Sequence, residues 1–343
     1  MSAKIIEADL DRDGAQIAKA LSEYLNPLAN GARFEWLYAC NPHGRTKAWV
    51  ALDDDGNLVA TAAAFPRRVY IEGKKYEAWV LGDFCVQDSF RTIGPALQLQ
   101  RKCLADLEAA GAAFCYDFPS RGMLAIYRRM GLAPSMEMIR FAKLLTVDRQ
   151  IAKFVKSQYM ARSISAPLNK LLDLYGTKNL ADGTLTFSVH EGTCRDEFSH
   201  LAESIASSTG ICIDRSAEYL NWRYRANSSY SYEIITARRA GVLVGYCVFY
   251  EAEQDATVVD LFGLKKDAVI AGLICAVEDH LKRRGVAVLS VPAAEKHPFV
   301  PLLRALGFAH REKSPIMTVI SKPSLHNVLC NSDWLLMAGD RDS

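Results

Sequence analysis

Apolar and polar positions alternate along the front of this chain in segments whose period switches between strand and helix. Residues 4–8 read as a strand and residues 13–25 as an amphipathic helix, followed by a loop to 34–38. Apolar-rich runs at 47–52 and 58–67 read as strands split by the turn Asp53-Asp-Asp-Gly56. A third run, 77–86, leads to a glycine turn at Gly94. The segment after it is apolar at 96, 97, 103, 104 and 107, a helical stripe, with Pro95 suited to its first turn and Gly111 to its end. A strand over 113–118, a short helix over 122–130 and a strand over 137–145 are expected to complete the unit.

The pattern is then repeated. A strand is expected over 186–190, a helix near 196–204, and strands over 232–237, 243–251 and 257–262. A long helix over 267–284 follows, then a strand over 286–291, a short helix around 299–306 and a strand over 316–321. Trp36-Leu-Tyr38-Ala-Cys-Asn41 matches Trp222-Arg-Tyr224-Arg-Ala-Asn227 at an offset of 222 − 36 = 186. Gly56-Asn-Leu58-Val-Ala60 matches Gly241-Val-Leu243-Val-Gly245 at 185, and Gly131-Leu132 matches Gly307-Phe308 at 176. Three matches in the same order favour two related domains. Residues 147–183 between them hold Ile151, Phe154, Val155 and Leu168, and are expected to be a packed helical connector.

Composition narrows the classes. At 343 residues, half of them hydrophobic, the chain is long enough for two buried cores. The 41 basic and 39 acidic residues leave a net charge of +2, with no push toward nucleic acid. The nine cysteines are odd in number, lack any Cys-x-x-Cys and sit mostly in apolar runs, which suits small buried hydrophobes in a reducing, cytoplasmic setting. The seven histidines show no ligand spacing, so no metal is expected. No apolar run approaches the roughly 18 residues of a membrane span, and no membrane insertion is expected.

The chemistry concentrates near Gly94. A glycine turn opening a helix presents unpaired backbone N–H groups and the positive end of the helix dipole, which suits a pyrophosphate. Arg91, Thr92, Ile93, Gly94, Pro95 and Ala96 form that turn, Pro95 lacking one donor. Downstream comes Ala125-Ile-Tyr127-Arg-Arg-Met-Gly131-Leu132. Together the two segments resemble the nucleotide-binding half of the GNAT acyltransferase superfamily, whose pattern Arg/Gln-x-x-Gly-x-Gly/Ala is met by Arg91, Gly94 and Ala96.

The resemblance implies an α/β (α+β) fold of two tandem GNAT-like domains, each a twisted mixed sheet with helices on both faces. Residues 1–146 would bind acyl-CoA and catalyse, 147–183 would connect, and 184–343 would be a degenerate copy with a C-terminal tail. It implies transfer of an acyl group from acetyl-CoA or another acyl-CoA to an amine of a small molecule, an amino sugar among the options. Tyr127 would protonate the leaving thiolate. Asp83 would be the base or, equally, a buried carboxylate, with Asp117, Glu77 and Glu137 as rival bases. Strand residues Phe84, Cys85 and Val86 would pair with pantetheine and polarise the thioester. Ser120 stands where the family usually has Asn. Cys85 and Cys115 read as core residues, lacking a histidine partner. The second copy has Leu264-Lys-Lys-Asp267 in place of the phosphate turn and Leu303 in place of Tyr127, while Asp260 mirrors Asp83.

Trp36, Tyr38, Trp222 and Tyr224 read as core aromatics more than as a stacking platform for a sugar. The tail 334–342 is either ordered over a cleft or frayed. Two other classes stay open: a Fem-type aminoacyl transferase drawing on charged tRNA, and a non-catalytic binding protein of the same fold. Oligomeric state is not legible.

Overall fold

A computed structural model describes residues 3–27, 29–90, 93–155, 158–174, 183–227, 230–264 and 267–342. The front half runs β1 (Lys4–Glu7), α1 (Leu10–Tyr24), α2 (Gly31–Phe34), β2 (Lys47–Leu52), β3 (Leu58–Ile71), β4 (Lys74–Val86), α3 (Ile93–Ala109), β5 (Phe114–Asp117), α4 (Arg121–Arg129) and β6 (Met136–Leu144). Helices α5 (Asp148–Phe154) and α6 (Gln158–Leu174) follow. The second half runs β7 (Leu185–Val189), α7 (Asp196–Ala206), β8 (Ile211–Ile213), α8 (Ala217–Leu220), β9 (Tyr232–Arg239), β10 (Val242–Ala252), β11 (Asp255–Gly263) and α9 (Asp267–Arg283). It ends with β12 (Val288–Ala294), α10 (Val300–Ala305), β13 (Ala309–Ile320), α11 (His326–Asn331) and β14 (Trp334–Leu335).

Local chemistry explains the helix starts. Asp9 caps α1 by accepting from the Asp11 amide, and Asp11 and Asp13 place negative charge on its first turn. The face of α1 carrying Ile17, Ala20 and Leu21 is buried. Ser120 caps α4 by accepting from the Met123 amide at 3.3 Å.

The sheet runs β1-β2-β3-β4-β5-β13-β6-β12-β11-β10-β9-β7 without a break between the halves. Each half contributes an antiparallel set joined in parallel to a further strand, β4 to β5 and β11 to β12. The middle of the sheet corrects an expectation. β6 was expected to complete the front unit, yet it pairs with β12 and β13, and β13 of the second half pairs with β5. The two halves have exchanged their last strands. An alternating apolar pattern fixes which face a strand buries but not which edge it joins.

One core spans both halves on one side of the sheet and includes Tyr38, Phe65, Phe198, Tyr219, Tyr246 and Trp334. A second packs α3 and α4 against the front sheet, and a third packs α9 and α10 against the rear sheet. The repeated Trp-x-Tyr motifs form π-helical turns, Glu35–Ala39 and Asn221–Arg225. They meet across a local two-fold. Trp36 Nε1 donates to the Trp222 carbonyl at 2.8 Å, Trp222 Nε1 donates to the Trp36 carbonyl at 2.9 Å, and the rings stack at 5.0 Å.

The connector also departs from expectation. α5 and α6 pack on each other, and Asp148 accepts hydrogen bonds from Ser165 and Asn169. Yet Phe154 and Leu168, expected inside, are 87% and 42% exposed. A helical pair with no layer above its outer stripe leaves those positions in water. Positions 156–157 and 175–182 of the connector lie outside the described residues.

The tail is ordered. Trp334 and Leu335 pair with β8, Ala293 bridges Met337, and Asp340 is fully buried. Gly339 is required by close approach: a Cβ there would lie 2.1 Å from Tyr224 Oη and 2.7 Å from the Val259 carbonyl oxygen. Gly339→Ala should therefore lower stability by roughly 1–3 kcal/mol through overpacking. Thermal or urea unfolding checks this, and an unchanged midpoint would mean that the tail can lift away at no cost.

Candidate active site

The site begins with a break in a ladder. β4 and β5 are in register at Trp79 with Cys115 and at Val80 with Tyr116; no ladder pair joins them beyond, although β4 continues to Val86. On the other edge, Thr61 faces Cys85 and Ala63 faces Gly82, so Asp83 and Phe84 together oppose Ala62. This is a β-bulge, and Asp83 has φ +48°, a conformation rare for a side chain other than glycine. The bulge shifts the alternation, so that Asp83 and Cys85 face the shared core while Phe84 and Val86 pack with the α3 side. A strand parting from its parallel neighbour at a bulge opens a wedge in the sheet.

α3 starts at Ile93, beside this wedge in sequence; Arg91 and Thr92 lie outside the described residues. Gly94 is exposed, and a Cβ built on it meets nothing within 4 Å. Its smallness therefore fills no packing need of the folded chain. Pro95 is half-buried, and Ala96 is buried in the α3 core. Ser120 is exposed and its hydroxyl is engaged as the cap of α4.

Tyr127 lies on α4, fully buried, and donates to Asp117 Oδ2 at the end of β5 at 2.7 Å. Gln100 on α3 donates to the Tyr127 oxygen at 3.3 Å. Burial pushes the Asp117 carboxyl up to about 6, opposed by the hydrogen bond from Tyr127. Burial, and then Asp117, raise the Tyr127 phenol well above its ordinary value, so it holds its proton at neutral pH.

Asp83 is not an open base. Arg33 grips both of its oxygens at 2.8 Å, and Tyr38 Oη donates to Oδ2 at 2.9 Å. Its side chain is fully buried, and its lone pairs are committed. The second half repeats the arrangement loosely: Tyr224 Oη reaches Asp260 at 3.4 Å, and Arg215 Nε lies 2.8 Å from Asp260. Burial, with Asp340 nearby, pushes Asp260 up to about 6 against the pull of Arg215.

Between the halves lies a cleft of about 680 Å³. Arg33, Trp36 and Phe118 line it from the front half, Tyr230, Tyr232 and Tyr250 from the rear, and Gly339, Arg341 and Asp342 from the tail. Phe118 directly follows Asp117, the partner of Tyr127, so the end of β5 links wedge and cleft. The Tyr230 and Tyr250 rings lie 4.3 Å apart, with Tyr232 edge-on to Tyr250 at 5.9 Å. Trp36 lines the cleft, whereas Tyr38, Trp222 and Tyr224 are core residues.

The arginines behind this cleft escaped the sequence reading. Arg67, inside an apolar β3, is fully buried and pairs with Asp342. Arg223 pairs with Asp342 at 2.6 Å, Arg33 donates to the Asp342 carbonyl at 2.7 Å, and Arg215 reaches Asp340 at 2.7 Å. For Arg67, an arginine pair set in an otherwise apolar strand was the available signal. Cys115 is buried and its thiol is pushed up to about 12 by burial, and the Cys85 thiol lies 3.9 Å from the Ala20 carbonyl; neither is placed as a nucleophile. Glu233, Glu251 and His280 come within 4.8 Å of one another, with Arg284 paired to both carboxylates.

A bulged strand thus parts from its parallel neighbour beside the start of a helix, with Tyr127 buried behind it. Residues 20–134, within the front half, match the family model of the acetyltransferase (GNAT) domain. No curated protein matches. Among solved structures, a probable N-acyltransferase from Enterococcus faecalis V583 is similar at TM-score 0.67 and 14% identity, covering 95% of this chain and 74% of that one. A GCN5-related N-acetyltransferase from Anabaena variabilis ATCC 29413 is similar at 0.68 and 12%, covering 94% and 73%. Another from Kribbella flavida is similar at 0.60 and 15%, covering 93% and 71%. At these identities the likeness is one of fold, and it extends over both halves.

The Asp117 environment has a measurable sign. Its folded pKa of about 6 lies above the ordinary 3.8, so the folded state binds the proton more tightly and stability from this group falls as pH rises between those values. Asp117→Asn keeps an acceptor for Tyr127 and removes the buried charge. Its stability relative to the parent chain should rise by about 2–3 kcal/mol between roughly pH 4 and pH 7, from the size of the shift. Denaturant unfolding at several pH values tests it; a difference that is flat with pH would contradict the buried-carboxylate reading.

Proposed function

We propose that the chain is an N-acyltransferase that moves an acyl group, acetyl first among them, from acyl-CoA to an amine of a small molecule. The wedge between β4 and β5 carries this reading, since it offers β4 main chain from Phe84 to Val86 to a pantetheine arm. The diphosphate would sit at the start of α3, on main-chain amides there that include those of Gly94 and Ala96. Ser120 would contribute at most a shared hydroxyl, because it already caps α4.

In this reading, the amine approaches through the cleft between the halves and attacks the thioester carbonyl directly. The developing oxyanion is stabilised by the backbone N–H near Cys85 or Val86. The amine's proton passes to water in the cleft. We take the base role away from Asp83, whose work is to fix Arg33 and Tyr38 on the bulge. Tyr127 turns its hydroxyl from Asp117 and donates the phenolic proton to the departing thiolate, Gln100 holds the oxygen by donating to it, and the phenolate regains a proton from solvent through Asp117 once the products leave. We divide the chain at 1–146, 147–183 and 184–343 by role: donor binding and chemistry, connector, and acceptor wall. α9 opens with Asp267, an anion where the front half has its glycine turn, and Leu303 replaces the tyrosine, which supports a rear half without a donor. Three tyrosines on the rear wall suit an acceptor with a flat apolar face, such as a sugar ring.

Acetyl-CoA should raise the melting temperature of the chain, and Gly94→Glu should abolish that rise without unfolding it, because the new side chain meets open space. No rise with acetyl-CoA or any longer acyl-CoA would turn the reading toward a tRNA-borne donor or a binding role. Tyr127→Phe should lower kcat by about 10²-fold and leave the KM for acyl-CoA unchanged. Steady-state kinetics decides this, and full activity in the variant would remove the tyrosine from the mechanism.

A further inference from the structure

One strained residue stands out in the front half. Among the described residues, those other than glycine with positive φ are Glu72, Asp83, Ala240 and Glu253. Glu72 lies in the turn from β3 to β4, Ala240 in the turn from β9 to β10 and Glu253 in the turn from β10 to β11, where such angles belong to the turn. Asp83 alone lies inside a strand, at φ +48°. A residue with a Cβ keeps that conformation only where its surroundings hold it there. Asp260, its counterpart in the rear half, has no positive φ.

The hold comes from one short segment. α2 is a single turn whose cap, Asn30, accepts from the Arg33 amide at 3.0 Å, and it runs straight into the π-helical turn that carries Tyr38. Phe34 stacks on Tyr38 at 4.1 Å. So placed, Arg33 donates to both Asp83 oxygens at 2.8 Å, and Tyr38 donates to one of them at 2.9 Å. A planar guanidinium fork meets a carboxylate in one orientation, so the Asp83 side chain is fixed, and the bulge with it. Arg33 is itself fastened from behind, where its Nη2 donates to the Asp342 carbonyl at 2.7 Å. It also lines the cleft. One side chain thus joins the tail, the cleft wall and the bulge. The bulge in turn decides which amides between Phe84 and Val86 face the parted edge of β4, because a register without the extra residue would turn each of them over.

We propose that Arg33 is a positioning residue for acyl transfer: held by the tail at Asp342, it fixes the bulge through Asp83 and so aims the β4 amides at the thioester oxygen. This role rests on the acyl-transfer reading and gives the tail a share in the site. Asp83 and Tyr38 complete the clasp, and none of the three moves a proton.

Turnover of acetyl-CoA by the full chain, with hydroxylamine as a small nucleophile in place of the acceptor and the uncatalysed rate subtracted, tests this. Arg33→Lys keeps the charge and loses the fork. Its kcat should fall at least about tenfold while the KM for acetyl-CoA stays within about twofold. Tyr38→Phe removes one hydrogen bond beneath the same ring and should show a smaller loss of the same kind. Arg33→Gln combined with Asp83→Asn sets a neutral hydrogen-bonded pair in place of the ion pair, on a residue type that tolerates positive φ, and should recover part of the kcat lost in Arg33→Gln alone. Melting temperature is measured beside the kinetics, since a role in stability alone would lower it and leave kcat of the folded chain unchanged. If Arg33→Lys is unfolded at the assay temperature, Tyr38→Phe decides. Folded variants with the parental kcat, or a loss confined to KM, would overturn the proposal and leave the acyl-transfer reading standing. A parent chain that is neither stabilised by acetyl-CoA or a longer acyl-CoA nor able to turn one over would overturn that reading, and the proposal with it.

Discussion

The structure turns on carboxylates buried at the junction of the two halves and the tail. Asp340 and Asp342, near the chain end, are held by Arg215, Arg67 and Arg223, while the Asp342 carbonyl accepts from Arg33. Taking each ion out of water costs several kcal/mol, which only a close and complete set of partners offsets. Those partners come from the front half, the rear half and the tail together. Removing any one would strand a charge in the interior. The network therefore makes the tail a strap whose seating requires both halves to be folded and correctly placed.

The strand exchange acts in the same direction. β13 continues the front sheet and β6 continues the rear one, so separating the halves would break ladders in the middle of the sheet as well as the shared core. The cleft between them is consequently a fixed part of the fold. Its walls, Trp36 from the front and the tyrosines from the rear, are set in position before any acceptor arrives, which limits the ordering that binding must impose.

Symmetry and asymmetry divide the labour. The paired Trp36 and Trp222 turns and the paired Asp83 and Asp260 contacts preserve a two-fold relation between the halves. The Gly94 turn and Tyr127 do not follow it. Tyr127 has a leucine counterpart, and the glycine turn has an aspartate one. A duplicated scaffold can keep its packing symmetric, because packing depends on shape, while one copy loses the small and polar groups that a phosphate requires.

Much of this was written in local sequence. Period and turn chemistry placed the longer strands and helices and missed short ones such as α2, β8, α8 and α11, because burying one face imposes a repeat of two or of 3.6 residues that a few residues are too short to display. The Trp-x-Tyr repeats marked the two-fold, and the Gly94 and Tyr127 segments marked the half that the acetyltransferase domain model matches. What tertiary structure alone decided were the partners. β6 and β13 crossed over because an apolar pattern names a face and not a neighbour. Asp83 became the clasp of Arg33 because a residue far away in the chain reached it. The connector stripe stayed exposed because no described residue is laid over it. Contacts between distant segments depend on the closed geometry of the whole molecule, and that geometry has no local signature for a linear reading to find.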